Sequence, residues 1–301
     1  MDAGRSAFWL LSHLPAPARR VVPSEARADL RRRLGHRYPW EEGYDFTPPP
    51  SDGLPTGPPD FVGVGAPRCG TVWWFRLLGA HPDVAAAGDR PVGLHYFSHF
   101  GLGRFGPEDR TRYHGWFPRP PGVRVGEWTA NYAAEPWVAP LLADAAPDAK
   151  LLFLVRDPRT RLEAALPDLG PARVANDGVA MAEEMERGCY ARQLRRLLEF
   201  FAPDRVLVLQ LERCLEDPAG QLAATYRFLG LDDAPAARVA AQAPARVPVG
   251  PPLDPSASVR VADLYRQDAL ELATLVPDLD LGRWPSTTEG GVRGPGAGGG
   301  R

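Results

Sequence analysis

The chain has 301 residues, with 35 Lys+Arg against 37 Asp+Glu and a formal net charge of -2. That length suffices for one large domain with a buried core, and the balanced charge offers no global field to draw nucleic acid or an acidic membrane, so any basic site must be local. Cys69, Cys189 and Cys214 are odd in number and lack close metal-ligand spacing, which argues against a metal site or a disulfide framework and for reduced thiols in the cytoplasm.

Residues 1–59 are expected to be an N-terminal extension and linker. The apolar patch Phe8-Trp9-Leu10-Leu11 follows Asp2 and is interrupted by Ser12-His13, so it does not read as a signal peptide. No apolar stretch reaches the roughly 20 residues needed to span a bilayer, so no membrane association is expected. Arg31-Arg32-Arg33 reads as a solvated helix face, and the proline-dominated stretch from Thr47 to Pro59 as a stiff linker.

The core should begin near Asp60 and extend to Trp284. Phe61 to Val64 has the apolar run of a buried strand. The loop Gly65-Ala66-Pro67-Arg68-Cys69-Gly70 leads into an amphipathic helix over Thr71 to Gly79, with a glycine C-cap before His81-Pro82. Such a loop presents unpartnered backbone N–H groups and the positive end of a helix dipole to an anion, and Arg68 adds a full charge. The strict pattern G-x-x-x-x-G-K-[ST] fails, because Thr71 stands where a phosphate-binding lysine belongs. A classical ATPase or GTPase is not expected on that ground.

Further strands are expected at Val84 to Ala87, Val123 to Gly126, Lys150 to Val155 and Arg205 to Leu211. Helices are expected over Pro136 to Ala145, 178–201, Pro218 to Leu229 with a stop at Gly230, and 257–275, while 167–178 reads as a mobile loop and 285–301 as a disordered glycine-rich tail. Alternating strands and helices imply an α/β fold of three layers, α/β/α, around a central, mainly parallel sheet. Right-handed crossovers place the loops after the Phe61 and Lys150 strands at the same carboxyl edge. The Gly65–Thr71 loop and Arg156-Asp157-Pro158-Arg159 then face one ligand.

These residues resemble the sulfotransferases that use 3′-phosphoadenosine 5′-phosphosulfate, in particular bacterial and heparan-sulfate-type members. Gly65 to Thr71 looks like their 5′-phosphosulfate loop and Lys150 to Arg161 like their 3′-phosphate motif. Gly126-Glu127-Trp128-Thr129-Ala130-Asn131-Tyr132 is similar to the family's G-E-K/W-T-P-x-Y segment, and Arg187-Gly188-Cys189-Tyr190-Ala191 to its R-G-x-Y-A stretch. The resemblance implies a P-loop-like strand-loop-helix that grips the donor. It counts Gly65, Ala66, Pro67, Arg68, Cys69, Gly70, Thr71, Val72, Arg156, Arg161, Ala164 and Tyr190 as donor-binding positions. Arg68 would stabilise charge at the oxygen bridging phosphate and sulfate, and Arg156 would hold the 3′-phosphate. The implied partner is a small-molecule or glycan hydroxyl, with no nucleic acid, and no metal is needed.

The chain departs from the family where the acceptor is activated. Relatives carry K-E-x-x-F-F, whereas here Val92 and Gly93 take the lysine and glutamate positions. His95 is the expected substitute base, the alternative being a structural packing role. Ala164 replaces a serine, and losing one charge-assisted hydrogen bond costs about 1.5–3 kcal/mol, or roughly tenfold to a hundredfold in donor affinity. Val72 replaces a threonine. A sulfotransferase-like protein that binds the sulfonucleotide or acceptor without efficient turnover is the alternative expectation. Trp73, Trp74, His99, Tyr113, His114, Trp116 and Trp128 are available either to stack on an acceptor or to fill the core.

Overall fold

A computed structural model describes residues 46–86, 93–101, 103–242 and 247–288. Among them, five strands form one sheet in the order β2-β3-β1-β4-β5, and every pairing is parallel. The strands are β1 (Phe61–Gly65), β2 (Val84–Ala86), β3 (Arg124–Trp128), β4 (Lys150–Val155) and β5 (Val206–Gln210). Parallel strands covered on both faces read as continuous apolar runs, and β1 and the last five residues of β4 are wholly buried. Phe61 sits level with Gly126 on one side and Lys150 on the other, which fixes β1 at the centre.

The chain leaves β1 toward β3 and β2 and re-enters on the opposite side at β4. This reversal opens a crevice at the carboxyl ends of β1 and β4, where open α/β sheets bind ligands. Close packing around β1 requires glycine: a Cβ on Gly63 would lie 1.9 Å from the Trp128 ring, and one on Gly65 2.4 Å from the Phe153 ring.

The helices follow the strands as α1 (Thr71–Gly79), α2 (Pro107–His114), α3 (Val138–Ala145) and α4 (Pro158–Leu169). After these come α5 (Pro171–Asn176), α6 (Gly178–Glu186), α7 (Tyr190–Leu198), α8 (Leu211–Glu216), α9 (Pro218–Leu229), α10 (Ala236–Gln242), α11 (Pro255–Leu275) and α12 (Pro285–Thr288). No described helix is long and apolar enough to cross a membrane.

Four expectations are corrected. The helix expected over 178–201 is broken at Arg187-Gly188-Cys189 into α6 and α7, and the Tyr265 ring packs against Gly188, where a Cβ would lie 2.7 Å from it. The loop expected at 167–178 is helical: α4 continues through Pro167, and Asp177 caps α6 by accepting from Ala180 N. Gly79 belongs to α1, with Ala80 as its C-cap. Pro285–Thr288, read from composition as the start of a disordered tail, forms α12, and Ser286 N donates to Asp157 at 2.8 Å. The proline-rich stretch runs against the body of the fold, with Thr56 bridged to Pro118 and Arg119 N donating to Pro55 O at 2.9 Å. The apolar patch at Phe8, the arginines at 31–33, Pro91, Val92 and the tail from 289 lie outside the described residues.

Candidate active site

The loop after β1 is tied to β4 by Ala66 N, which donates to Leu154 O at 2.7 Å. Arg68 has φ 66° and Gly70 φ 83°. The left-handed region costs a non-glycine residue roughly 1–2 kcal/mol, a strain that concentrates at functional sites. The start of α1 at Gly70 receives no side-chain cap and carries no acidic residue in its first turn. The positive end of its dipole therefore meets no side-chain cap and no local carboxylate.

The members of this loop divide between facing outward and supporting from below. Val72 is 44% exposed, whereas Thr71 and Cys69 are buried. The Cys69 thiol lies 3.6 Å from Tyr190 Oη, and burial pushes it up to about 12, so it is an inert packing thiol. Tyr190 is itself buried, its ring meeting Phe153 and Trp284 edge-on or tilted. It props the loop from beneath.

Arg156 emerges from β4 and joins the two loops directly. Its Nη1 donates to Arg68 O at 3.2 Å and to Pro248 O at 2.8 Å. Asp157 caps α4 by accepting from Thr160 N, and its other oxygen accepts from Ser286 N. Glu212 accepts from Asp157 N at 2.9 Å and from Trp284 Nε1 at 3.1 Å. The second loop is therefore braced by α8 and α12. Ala164 is buried in α4, and Gly250 lies so close to the helix backbone there that a Cβ would come within 1.8 Å of Glu163 O.

Arg161 is wholly buried, donates Nη1 to Glu184 O at 2.7 Å, and pairs with the Glu184 carboxylate, which also pairs with Arg187. Its Nε has no hydrogen-bond partner among the described residues. Burial lowers Arg68 from its ordinary value; Glu184 opposes this shift, while Arg161 and Arg187 add to it, so three guanidinium groups share one electrostatic neighbourhood. Asp168 of α4 pairs with Arg68.

The segment around position 93 meets the chain beyond the carboxyl end of β3. Gly93 N donates to Trp128 O at 2.8 Å, and His95 N to Thr129 Oγ1 at 3.1 Å. Residues 93–95 are not a strand, and Gly93 and His95 have φ 75° and 53°. His95 Nε2 nevertheless lies 3.4 Å from where a Cβ on Gly93 would sit. The imidazole thus fills the space next to position 93. Burial lowers His95 to about 4, leaving a neutral ring of weak basicity.

Glu127 is completely buried, accepts from Thr129 Oγ1 at 2.7 Å and from Tyr113 Oη at 3.2 Å, and is pushed up to about 7 by burial. Sequence reasoning missed Glu135, the last residue of Tyr132-Ala133-Ala134-Glu135, which burial also raises to about 7. A carboxylate just after a strand that ends at the site was the available signal. Of the aromatic residues, Trp73, Trp74, Tyr113, Trp116 and Trp128 are buried core, His114 Nε2 bonds Ala145 O at 2.7 Å, and His99 is exposed. Among the described residues, no cluster of His, Cys, Asp and Glu is arranged to hold a metal.

Residues 127–235 match the model of the sulfotransferase family. A sulfotransferase from Alicyclobacillus acidocaldarius superposes with a TM-score of 0.58 over 75% of this chain and 98% of that one, at 24% identity. The fold is that of a sulfotransferase. The chain is also 30% identical over 193 residues to heparan sulfate glucosamine 3-O-sulfotransferase 6 of Mus musculus, covering 58% of this chain and 52% of that protein. The human protein of that name is 30% identical over 210 residues, covering 61% and 57%. The chain thus spans about half the length of the curated relatives it matches. Within the sulfotransferase fold, the matched stretch takes in the end of β3 and all of β4 and β5.

Proposed function

We propose that this protein is a sulfotransferase that moves a sulfuryl group from 3′-phosphoadenosine 5′-phosphosulfate to a hydroxyl of a small-molecule or glycan acceptor. One observation carries the reading: Arg156 at the end of β4 reaches the carbonyl of Arg68 at the end of β1, so the two anion-holding loops form one site. Gly65 to Val72 would cradle the phosphosulfate, with Arg68 and the uncapped start of α1 facing it. Arg156 would take the 3′-phosphate. Arg161, Ala164 and Tyr190 lie in the layer beneath and act by holding the loops in place. Sulfuryl transfer spreads negative charge over several oxygens, and fixed cations and dipoles suit that task. The names of the matched relatives make a glycan the first acceptor class to try. The three free thiols support a cytoplasmic setting.

The test is binding of 3′-phosphoadenosine 5′-phosphate to the full chain, followed by transfer from sulfur-labelled donor to de-O-sulfated heparin and to 2-naphthol. Arg156→Ala is expected to weaken nucleotide binding by roughly tenfold to a hundredfold. Arg68→Ala is expected to slow transfer by about 10²–10³-fold. A wild-type chain that binds no nucleotide at millimolar concentration overturns the proposal.

A further inference from the structure

Deprotonating an acceptor hydroxyl requires a base, and position 93 offers none. His95 takes up space beside Gly93, but its enclosed ring is a poor proton acceptor. Glu135 follows β3, the neighbour of β1, and so stands at the same carboxyl edge as the Arg68 loop. Its side chain lies beside the Ser98 hydroxyl, in the turn that begins at His95, and within electrostatic reach of Arg187. Arg187 is paired with Glu184, and both Glu135 and Arg68 lie within its electrostatic reach. Trp137 Nε1 donates to Phe97 O at 3.1 Å, which ties the Glu135 segment to the turn carrying Ser98.

One further feature separates Glu135 from a structural carboxylate. Its Oε2 is buried and has no hydrogen-bond partner among the described residues. A buried, unsatisfied carboxylate oxygen is costly, and such groups call for an explanation in catalysis or ligand binding. Glu127, by contrast, is saturated by Thr129 and Tyr113.

We propose that Glu135 is the catalytic residue that takes the proton from the acceptor hydroxyl, in the role that position 93 has lost. The assignment rests on the sulfotransferase reading above. As the acceptor oxygen forms its bond to sulfur, its proton passes to Glu135 Oε2. The bond from sulfur to the bridging oxygen breaks, and its electron pair leaves on the 5′-phosphate beside Arg68. Ser98, Tyr132 and Arg187 are the polar and charged groups that face Glu135. The carboxyl group is held near neutrality by burial, with Arg187 opposing the shift, so it can both accept and return a proton at physiological pH.

The experiment compares wild type, Glu135→Gln and His95→Ala by three measurements: binding of 3′-phosphoadenosine 5′-phosphate, the pH profile of transfer to de-O-sulfated heparin and 2-naphthol, and carboxyl titration by NMR with labelled glutamate. Glu135→Gln is expected to keep nucleotide affinity within about twofold and to lose about 10²–10⁴-fold in kcat. The acid limb near pH 7 should vanish in Glu135→Gln and persist in His95→Ala. In the wild type, the Glu135 signal should move to higher pH when the anionic nucleotide binds. Absence of nucleotide binding overturns the functional reading and this assignment with it. Binding that leaves the Glu135 titration unmoved, transfer by Glu135→Gln within threefold of wild type, or binding with no transfer to either acceptor overturns the assignment of Glu135 alone.

Discussion

The two halves of the carboxyl edge handle charge in opposite ways. At β1 and β4 the side chains are guanidinium groups held in place by carbonyls and carboxylates: Arg156 on Arg68 O and Pro248 O, Arg161 and Arg187 on Glu184. Beyond β3 the ionisable groups are carboxyls that burial drives toward their neutral form, Glu127 and Glu135 both pushed up to about 7. On the proposed reading the first half would hold an anion in place, because a fixed positive site needs no reorganisation when charge arrives. The second, on the assignment of Glu135 proposed above, would move a proton, because a carboxyl group titrating near the working pH exchanges one readily.

The most severe way to break this contrast is to remove the carboxylate from the cationic half. Glu184→Ala leaves Arg161, which is wholly buried, and Arg187 without their shared counter-charge, next to Arg68. Removing one member of a buried pair costs about 3–5 kcal/mol, since the remaining charge stays desolvated. Urea unfolding should show a loss of that size, whereas a change under 1 kcal/mol would mean that solvent reaches the cluster. Added 3′-phosphoadenosine 5′-phosphate should recover more stability in this variant than in the wild type, since an anion can serve where Glu184 stood.

The proton-handling half gives a smaller effect with a definite sign. The folded chain holds Glu127 at about 7 against 4.5 for a free side chain, so it binds a proton that the unfolded chain releases. Its contribution is fully present below pH 4.5 and is lost as pH rises to about 7. That loss amounts to about 3 kcal/mol. Glu127→Gln keeps an acceptor for Thr129 and Tyr113 while carrying no charge, so it should match wild type at pH 5 and exceed it at pH 8. Glu135 adds its own share over the same range and is unaffected by this change. Identical slopes of stability against pH for the variant and the wild type would refute the account.

The cationic half was also the half legible in the sequence. The apolar runs of β1 and β4, the boundaries of α1 and α9, and the arginines after the two strands follow from local pattern, and each stood where expected. The proton-handling half was not legible, for two physical reasons. The segment from Gly93 has positive φ values in place of strand alternation, a backbone choice set by its contacts with Trp128 O and Thr129 Oγ1. The raised basicity of Glu127 and Glu135 comes from burial, which is set by tertiary packing and not by local pattern. The close packing at Gly188 has the same character, since the Tyr265 ring against it comes from α11.

The finest test concerns Asp168, the one acidic side chain that pairs with Arg68 among the described residues. It comes from the last turn of α4, a segment that the sequence presented as loop and that is helical in the fold. On the proposed reading, the donor and Asp168 would compete for the one Arg68 guanidinium. Both partners are substantially exposed, at 36% and 51%, and exposed ion pairs are worth only about 0.2–1 kcal/mol. Asp168→Asn should therefore tighten donor binding by no more than about fivefold, and the gain should shrink as salt is raised. Titration calorimetry at two ionic strengths measures both. Weaker binding in Asp168→Asn would instead make the carboxylate part of the anion-holding half, positioning Arg68 for the donor.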